Sequence, residues 1–150
     1  MSVTIKSERD LKRKVKALRE YVEECVRRVM DRGYVLKAGS WSHPPLHGVQ
    51  GTCCAVGAIG VATLSPRASR TDTAWGMEPS VVVPLIRNGA TELIDEPTLD
   101  ALSDGFEWRR RGRDVFRPRP PRKTSAHSRY RRAAYDLGRE LYEKHCKEPA

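Results

Sequence analysis

Apolar positions set a helical rhythm at the start of the chain. Leu11, Val15, Leu18, Val22, Cys25 and Val29 recur at alternating intervals of four and three residues, and Tyr21, Val26 and Met30 widen the stripe to that of a core-facing helix. Ser7 with Asp10 three residues later resembles a capping box in which Asp replaces the usual Glu, and Gly33 supplies a stop. A helix over Ser7–Arg32 is therefore expected. The spacing can also be counted as heptads, which would allow a homodimer through this first helix. The stripe is broader than a coiled-coil seam, so packing within its own domain is the favoured reading.

The rhythm then breaks. Tyr34–Leu36 suits a short extended piece, while Gly39-Ser40-Trp41 and Pro44-Pro45 make a loop of the residues up to Thr52. Cys53–Leu64 is small or apolar on every side, which predicts a buried central helix capped by Thr52 and closed by Ser65-Pro66. Ser65–Glu78 reads as a polar surface loop. Ser80–Ile86 is ambiguous: three valines favour a strand, and Pro84 disfavours the interior of strand and helix alike. Pro97–Ser103 predicts a small helix with Leu99 and Leu102 inward and Gly105 as its terminator. From near Ser128, the stripe Tyr130, Ala134, Leu137 and Leu141 predicts a last helix reaching about His145. The expected architecture is a mainly α, small single-domain fold over residues 1–150. It has a buried central helix, room for one short strand, and a disordered or extended basic arm inserted at about 109–128.

Charge sharpens this picture. Eleven of the twenty-four residues from Arg109 to Arg132 are basic and only Asp114 is acidic, so this window carries +10 while the whole chain carries +9. The basicity belongs to one segment, not to a generally positive surface. Like charges repel and resist packing, and such runs often serve as interaction arms. Arg117-Pro118-Arg119-Pro120-Pro121 should be extended and solvated. The candidate contacts for nucleic acid are Arg109, Arg110, Arg111, Arg113, Arg117, Arg119, Arg122, Lys123, Arg129, Arg131 and Arg132, with Phe116 and Tyr130 available to stack on bases. An acidic protein surface is the alternative partner. No helix-turn-helix, zinc-finger or RNP pattern accompanies the arm.

Catalytic chemistry has thinner support. His43 and His47 stand upstream of Cys53 and Cys54, but the paired-cysteine spacing of zinc sites is missing, and Pro44-Pro45 forbids a helix that would align the histidines. No metal site and no cofactor motif is read. Cys53 or Cys54 at a helix N-terminus would have a lowered pKa and could act as a nucleophile, with His47 as a base and Gln50 lining an oxyanion site. Gln50-Gly51-Thr52-Cys53-Cys54 resembles the segment before the catalytic cysteine of papain-like proteases, with the Gln nearer the Cys and no downstream His/Asn context. Cysteine packed as a small hydrophobe is the favoured reading. The four cysteines lack disulfide-framework spacing and the polar N-terminus lacks a signal-peptide pattern. The longest apolar run, Cys53–Ala62, is about half of what a membrane span needs. A cytoplasmic protein with reduced thiols and no membrane partner is expected.

One resemblance runs through the same residues. Gly39 and Trp41, followed by Cys54-Ala55-Val56-Gly57-Ala58-Ile59, resemble the Trp…Cys-Ala-Leu-Gly-Ala-Leu pattern of small uncharacterised proteins of actinobacteria and their phages. Cys53-Cys54 is similar to the Cys-Cys-Leu-Gly-Val-Leu core of small phage proteins. In those families a helix precedes the core and an Asn-Asp-containing helical region follows; Ser103-Asp104 holds that place here, without the Asn. The resemblance spans about a third of the chain, leaves out the basic segment and implies origin in a phage or mobile element rather than an activity. The leading expectation is a non-enzymatic binding protein, in the cytoplasm of a bacterial host, that contacts nucleic acid or another polyanion through its Arg-rich arm. The alternatives are a phage effector that binds and inhibits a host protein through the arm and the Trp41 loop, and a cysteine-dependent enzyme using Cys53 or Cys54.

Overall fold

A computed structural model describes residues 3–40, 42–63, 92–109 and 119–146. The first helix, α1 (Glu8–Asp31), starts where the Ser7 hydroxyl accepts the Asp10 N–H at 3.1 Å. The Asp10 carboxylate does not return to Ser7; it accepts the N–H of Lys6 at 2.9 Å, so the capping pair is displaced one residue outward. Leu11, Leu18, Val22, Cys25, Val26 and Val29 are buried as the stripe predicts, and Val15 and Tyr21 are partly covered. Met30 departs from the expectation: it is 44% exposed, because it lies at the edge of the stripe near the helix end. Gly33, at φ +92°, provides the left-handed stop.

Three strands follow where one was expected: β1 (Tyr34–Leu36), β2 (Ser42–His43) and β3 (Gly51–Cys53). They form a sheet of order β1-β3-β2, with β3 parallel to β1 and antiparallel to β2. Thr52 and Cys53 are therefore sheet residues and not a helix start. Their backbone groups bond to partners remote in sequence, which no local pattern reveals. Gly51 is demanded by this pairing, since a Cβ there would lie 2.8 Å from the His43 carbonyl oxygen and from Pro45 Cδ. Between β2 and β3, Leu46 and Val49 bridge across a tight turn in which His47 (φ +50°) and Gly48 (φ +78°) are both left-handed.

The second helix, α2 (Ala55–Thr63), is the buried one, with every residue from Ala55 to Ala62 shielded, Gly57 and Gly60 included. It begins two residues later than predicted. Cys54 takes the capping position: its carbonyl accepts the Ala58 N–H at 2.8 Å and its sulfur accepts the Gly57 N–H at 3.3 Å. At the other end Arg32 Nη1 donates to the Val61 carbonyl at 2.8 Å. The helix packs on α1, on the sheet and on the third helix, α3 (Glu96–Phe106).

Asp95 caps α3, accepting the Thr98 N–H at 2.9 Å and, through its other oxygen, the Val3 N–H at 2.9 Å. Pro97 sits in the first turn as expected. Gly105 does not end the helix, contrary to the sequence reading. It lets α3 lie against the last helix, α4 (Ala126–His145): a Cβ at Gly105 would overlap the Tyr135 carbonyl oxygen and sit 2.9 Å from its carbonyl carbon. Gly138 of α4 mirrors this, since a Cβ there would fall 2.8 Å from the Phe106 nitrogen. Helix α4 opens with a reciprocal Ser125/Ser128 capping box, two residues before the predicted start of order.

Helices α1 and α4 lie side by side and run the same way, since Arg129 meets Glu8 near their starts and Arg19 meets Glu140 further along. The four helices of the described residues and the sheet contribute to one buried cluster, in which Val22, Val29, Ile59, Phe106, Tyr130 and Tyr135 are almost wholly covered. The fold is mainly α with a small mixed sheet. Among the described residues no helix is long and apolar enough to cross a membrane. The expectations for Ser65–Glu78 and Ser80–Ile86 lie outside the described residues.

Candidate polyanion surface and the buried thiols

The charge run separates into two populations. Arg109, just after α3, pairs with Glu143 at 2.9 Å, beside the Trp108 ring that carries the Arg139 guanidinium 4.2 Å from its centroid. Arg129 grips both oxygens of Glu8 at 2.7 Å, and this contact holds the Glu8 carboxyl below its usual pKa. Arg132 pairs with Asp136 at 3.1 Å, donates to the Pro121 carbonyl at 3.4 Å and lies over the Tyr135 ring. Arg131 is half-buried; against burial, hydrogen bonds from Thr98 and Val3 hold the Asp95 pKa down, and the Arg131 charge adds to them. These residues brace the fold. By contrast Arg119, Arg122 and Lys123 are exposed and make no ion pair among the described residues. Arg110, Arg111, Arg113, Arg117, Phe116 and Trp41 lie outside the described residues.

Arg129, Arg131 and Arg132 stand in the opening turns of α4, where the last helix expected from near Ser128 puts them. One sequence assignment changes. Tyr130 is 1% exposed and its hydroxyl donates to the Leu93 carbonyl at 2.5 Å, so it is a core residue and not a stacking platform for bases.

Cys25, Cys53 and Cys54 are buried, and Cys146 is half-buried. Cys53 is fully buried in β3, and burial pushes its pKa far up. Cys54 holds the favourable place at a helix start, where the Gly57 N–H supports a thiolate. Burial outweighs that support and raises the thiol to about 11. Cys146, also raised to about 11 by burial, donates its S–H to the Leu36 carbonyl at 3.2 Å. Neither sequence-predicted histidine joins Cys53: His43 pairs opposite Thr52, on the face of the sheet away from Cys53, and His47 is exposed on the turn. All four cysteines are free, and no group of three or more His, Cys, Asp or Glu among the described residues is arranged to hold a metal.

Sequence reasoning missed one feature. A groove of about 420 Å³ between α1 and α4 is lined by Leu11, Lys12, Val15, Lys16, Arg19 and Arg129. The signal was present, since Lys12, Lys16 and Arg19 recur at helical spacing. It was hidden because acidic residues later in α1, among them Glu20, Glu23, Glu24 and Asp31, offset this block in any tally of the whole chain. No family model, curated protein or solved structure significantly matches this chain.

Proposed function

We propose that this chain is a non-enzymatic nucleic-acid-binding protein of phage or mobile-element origin, with its Arg-rich arm as the contact. The supporting observation is that Arg119, Arg122 and Lys123 are exposed and have no acidic partner among the described residues, within a segment carrying ten net positive charges. Each such cation that neutralises a phosphate releases condensed counterions, a driving force that needs no base-reading motif. The Trp41…Cys54-Ala55 resemblance supports the origin. The cysteine-enzyme alternative has least in its favour, because both thiols are buried and burial raises the pKa of each.

Fluorescence anisotropy of labelled oligonucleotides across a salt series tests this reading. Binding should weaken linearly in log salt with a slope of several units. The R119S/R122S/K123S variant should show a slope shallower by about 2, at ~0.7–0.9 for each phosphate no longer neutralised. Absence of binding at low salt would sink the proposal.

A second reading, an effector that inhibits a host protein, is favoured by one observation: Leu46 and Val49 stand 45% and 68% exposed at the tip of the β2–β3 turn. Scattered apolar residues are common on surfaces, but two paired across one turn suit a protein contact. Capture of a host protein from nuclease-treated lysate, abolished in L46S/V49S, would support it.

A further inference from the structure

The arm is not the only positive surface that the fold presents. In the first half of α1 and just before it stand Lys6, Arg9, Lys12, Arg13, Lys14, Lys16 and Arg19, opposed only by Glu8 and Asp10. Parallel packing lays this block against the opening turns of α4, into which the arm leads. Lys12, Lys16 and Arg19 share one face, stepping along the axis by about 6 and then about 4.5 Å. Ion pairs with Glu140 and Glu8 hold the guanidiniums of Arg19 and Arg129 at the groove. Lys12 and Lys16 are exposed and form no ion pair among the described residues. One turn beyond Arg129, Arg132 is bonded to the Pro121 carbonyl, which moors the stretch bearing Arg119, Arg122 and Lys123 beside the same turns of α4.

We infer that the α1–α4 groove is a second contact for nucleic acid, and that its occupant is the sugar-phosphate backbone of a single strand; this rests on the nucleic-acid reading above. Four cations line the groove, Arg19 and Arg129 paired with Glu140 and Glu8 and Lys12 and Lys16 without an ion pair among the described residues. Cations repeating along an axis match a ligand whose charges repeat along its length. The seam between packed helices with axes about 8–10 Å apart is only a few ångströms wide. An extended strand can settle into it, whereas the stiff rod of a duplex would touch only the rim. Partly exposed Val15 on the floor offers apolar cover to sugar and base edges that a duplex keeps stacked.

The test is anisotropy with single-stranded and duplex oligonucleotides of equal length over a salt series, comparing wild type, Lys12→Gln/Lys16→Gln and R119S/R122S/K123S. Gln keeps the helix propensity and most of the stem, and an unchanged thermal unfolding curve verifies that the fold is intact. The groove variant should lose single-strand affinity several-fold at low salt and lower the log–log slope by about 1.4, at ~0.7 for each of two phosphates. Each single variant should give about half that change, and duplex binding should change much less. A wild type that binds the single strand, with a groove variant indistinguishable from it, overturns the groove while leaving the arm. Equal losses on duplex and single strand overturn the choice of occupant. A wild type that binds neither overturns the nucleic-acid reading and the groove together.

Discussion

Replacing Gly105 with Ala puts two opposed effects on one residue, and their sum has a definite sign. Ala is the better helix former by about 1 kcal/mol in a helix interior, so propensity alone predicts stabilisation. The new Cβ, however, would overlap the Tyr135 carbonyl oxygen and stand 2.9 Å from its carbonyl carbon and 3.1 Å from its Cα. Carbon atoms rest at about 3.5–4.0 Å, so α3 and α4 must part by roughly 1 Å. Neither obstructing group is a flexible side chain that can swing aside. A gap of that size forfeits a quarter to a half of the dispersion attraction of each atom pair across it. Leu102 and Phe106, 2% and 0% exposed, would give up part of their packing against α4. Overpacking of this kind costs about 1–3 kcal/mol, and the rigidity of the obstruction places the cost at the top of that range. After the propensity gain, a net loss of about 2 kcal/mol is expected. Urea unfolding followed by far-ultraviolet circular dichroism would read it as a midpoint lowered by about 1 M, given slopes of ~1–3 kcal/mol/M for a domain of this size. Gly138→Ala should act in the same direction, and the double variant should fall short of additivity, because either Cβ separates the same two helices. An unchanged or raised midpoint for Gly105→Ala would show that the helices are not in backbone contact and refute the reasoning.

Three further outcomes are expected. Asp95→Ala should cost about 2–3 kcal/mol in the same unfolding assay, since it strips the α3 cap and orphans the N–H groups of Thr98 and Val3; a loss below about 0.5 kcal/mol would contradict that role. Asp10 has its pKa lowered to about 2, chiefly by the Lys6 N–H and then by the Arg13 side chain. The folded-state value lies below the unfolded one of about 3.9, so its contribution is present above about pH 4 and fades as the pH falls towards about 2. Asp10→Asn should therefore flatten the fall of Tm across that acid window, and a profile parallel to wild type would count against the assignment. Finally, Cys53 and Cys54 should resist a thiol reagent at neutral pH in the native protein and react once it is unfolded, as their burial and raised pKa require. Rapid native labelling of either, located by mass spectrometry, would reopen the cysteine-enzyme reading.

The long helices were legible because their determinants are local. The Leu11-to-Val29 and Tyr130-to-Leu141 stripes place apolar side chains on one face by the helix period alone, and Ser7 and Gly33 mark the ends of the first with short-range hydrogen bonds and backbone conformation. The sheet was not legible, because Gly51–Cys53 is three residues of no periodic character, strung between partners about ten and seventeen positions away. Gly105 was misread for a related reason: a glycine that stops a helix and a glycine that admits a neighbour are the same letter, and only the position of Tyr135 distinguishes them.

The site divides along the same line. The sequence by itself determined that positive charge is concentrated between Arg109 and Arg132, since net charge over a window needs no coordinates. Only the tertiary structure decided which of those cations pair with Glu143, Glu8 and Asp136 and which form no ion pair among the described residues. It alone brought Lys12 and Lys16 to the turns of α4 that carry Arg129, across more than a hundred residues of chain. It also placed Cys53 and Cys54 in the core. Coulomb energy and burial depend on distance through space, and that distance exists only once the helices have packed.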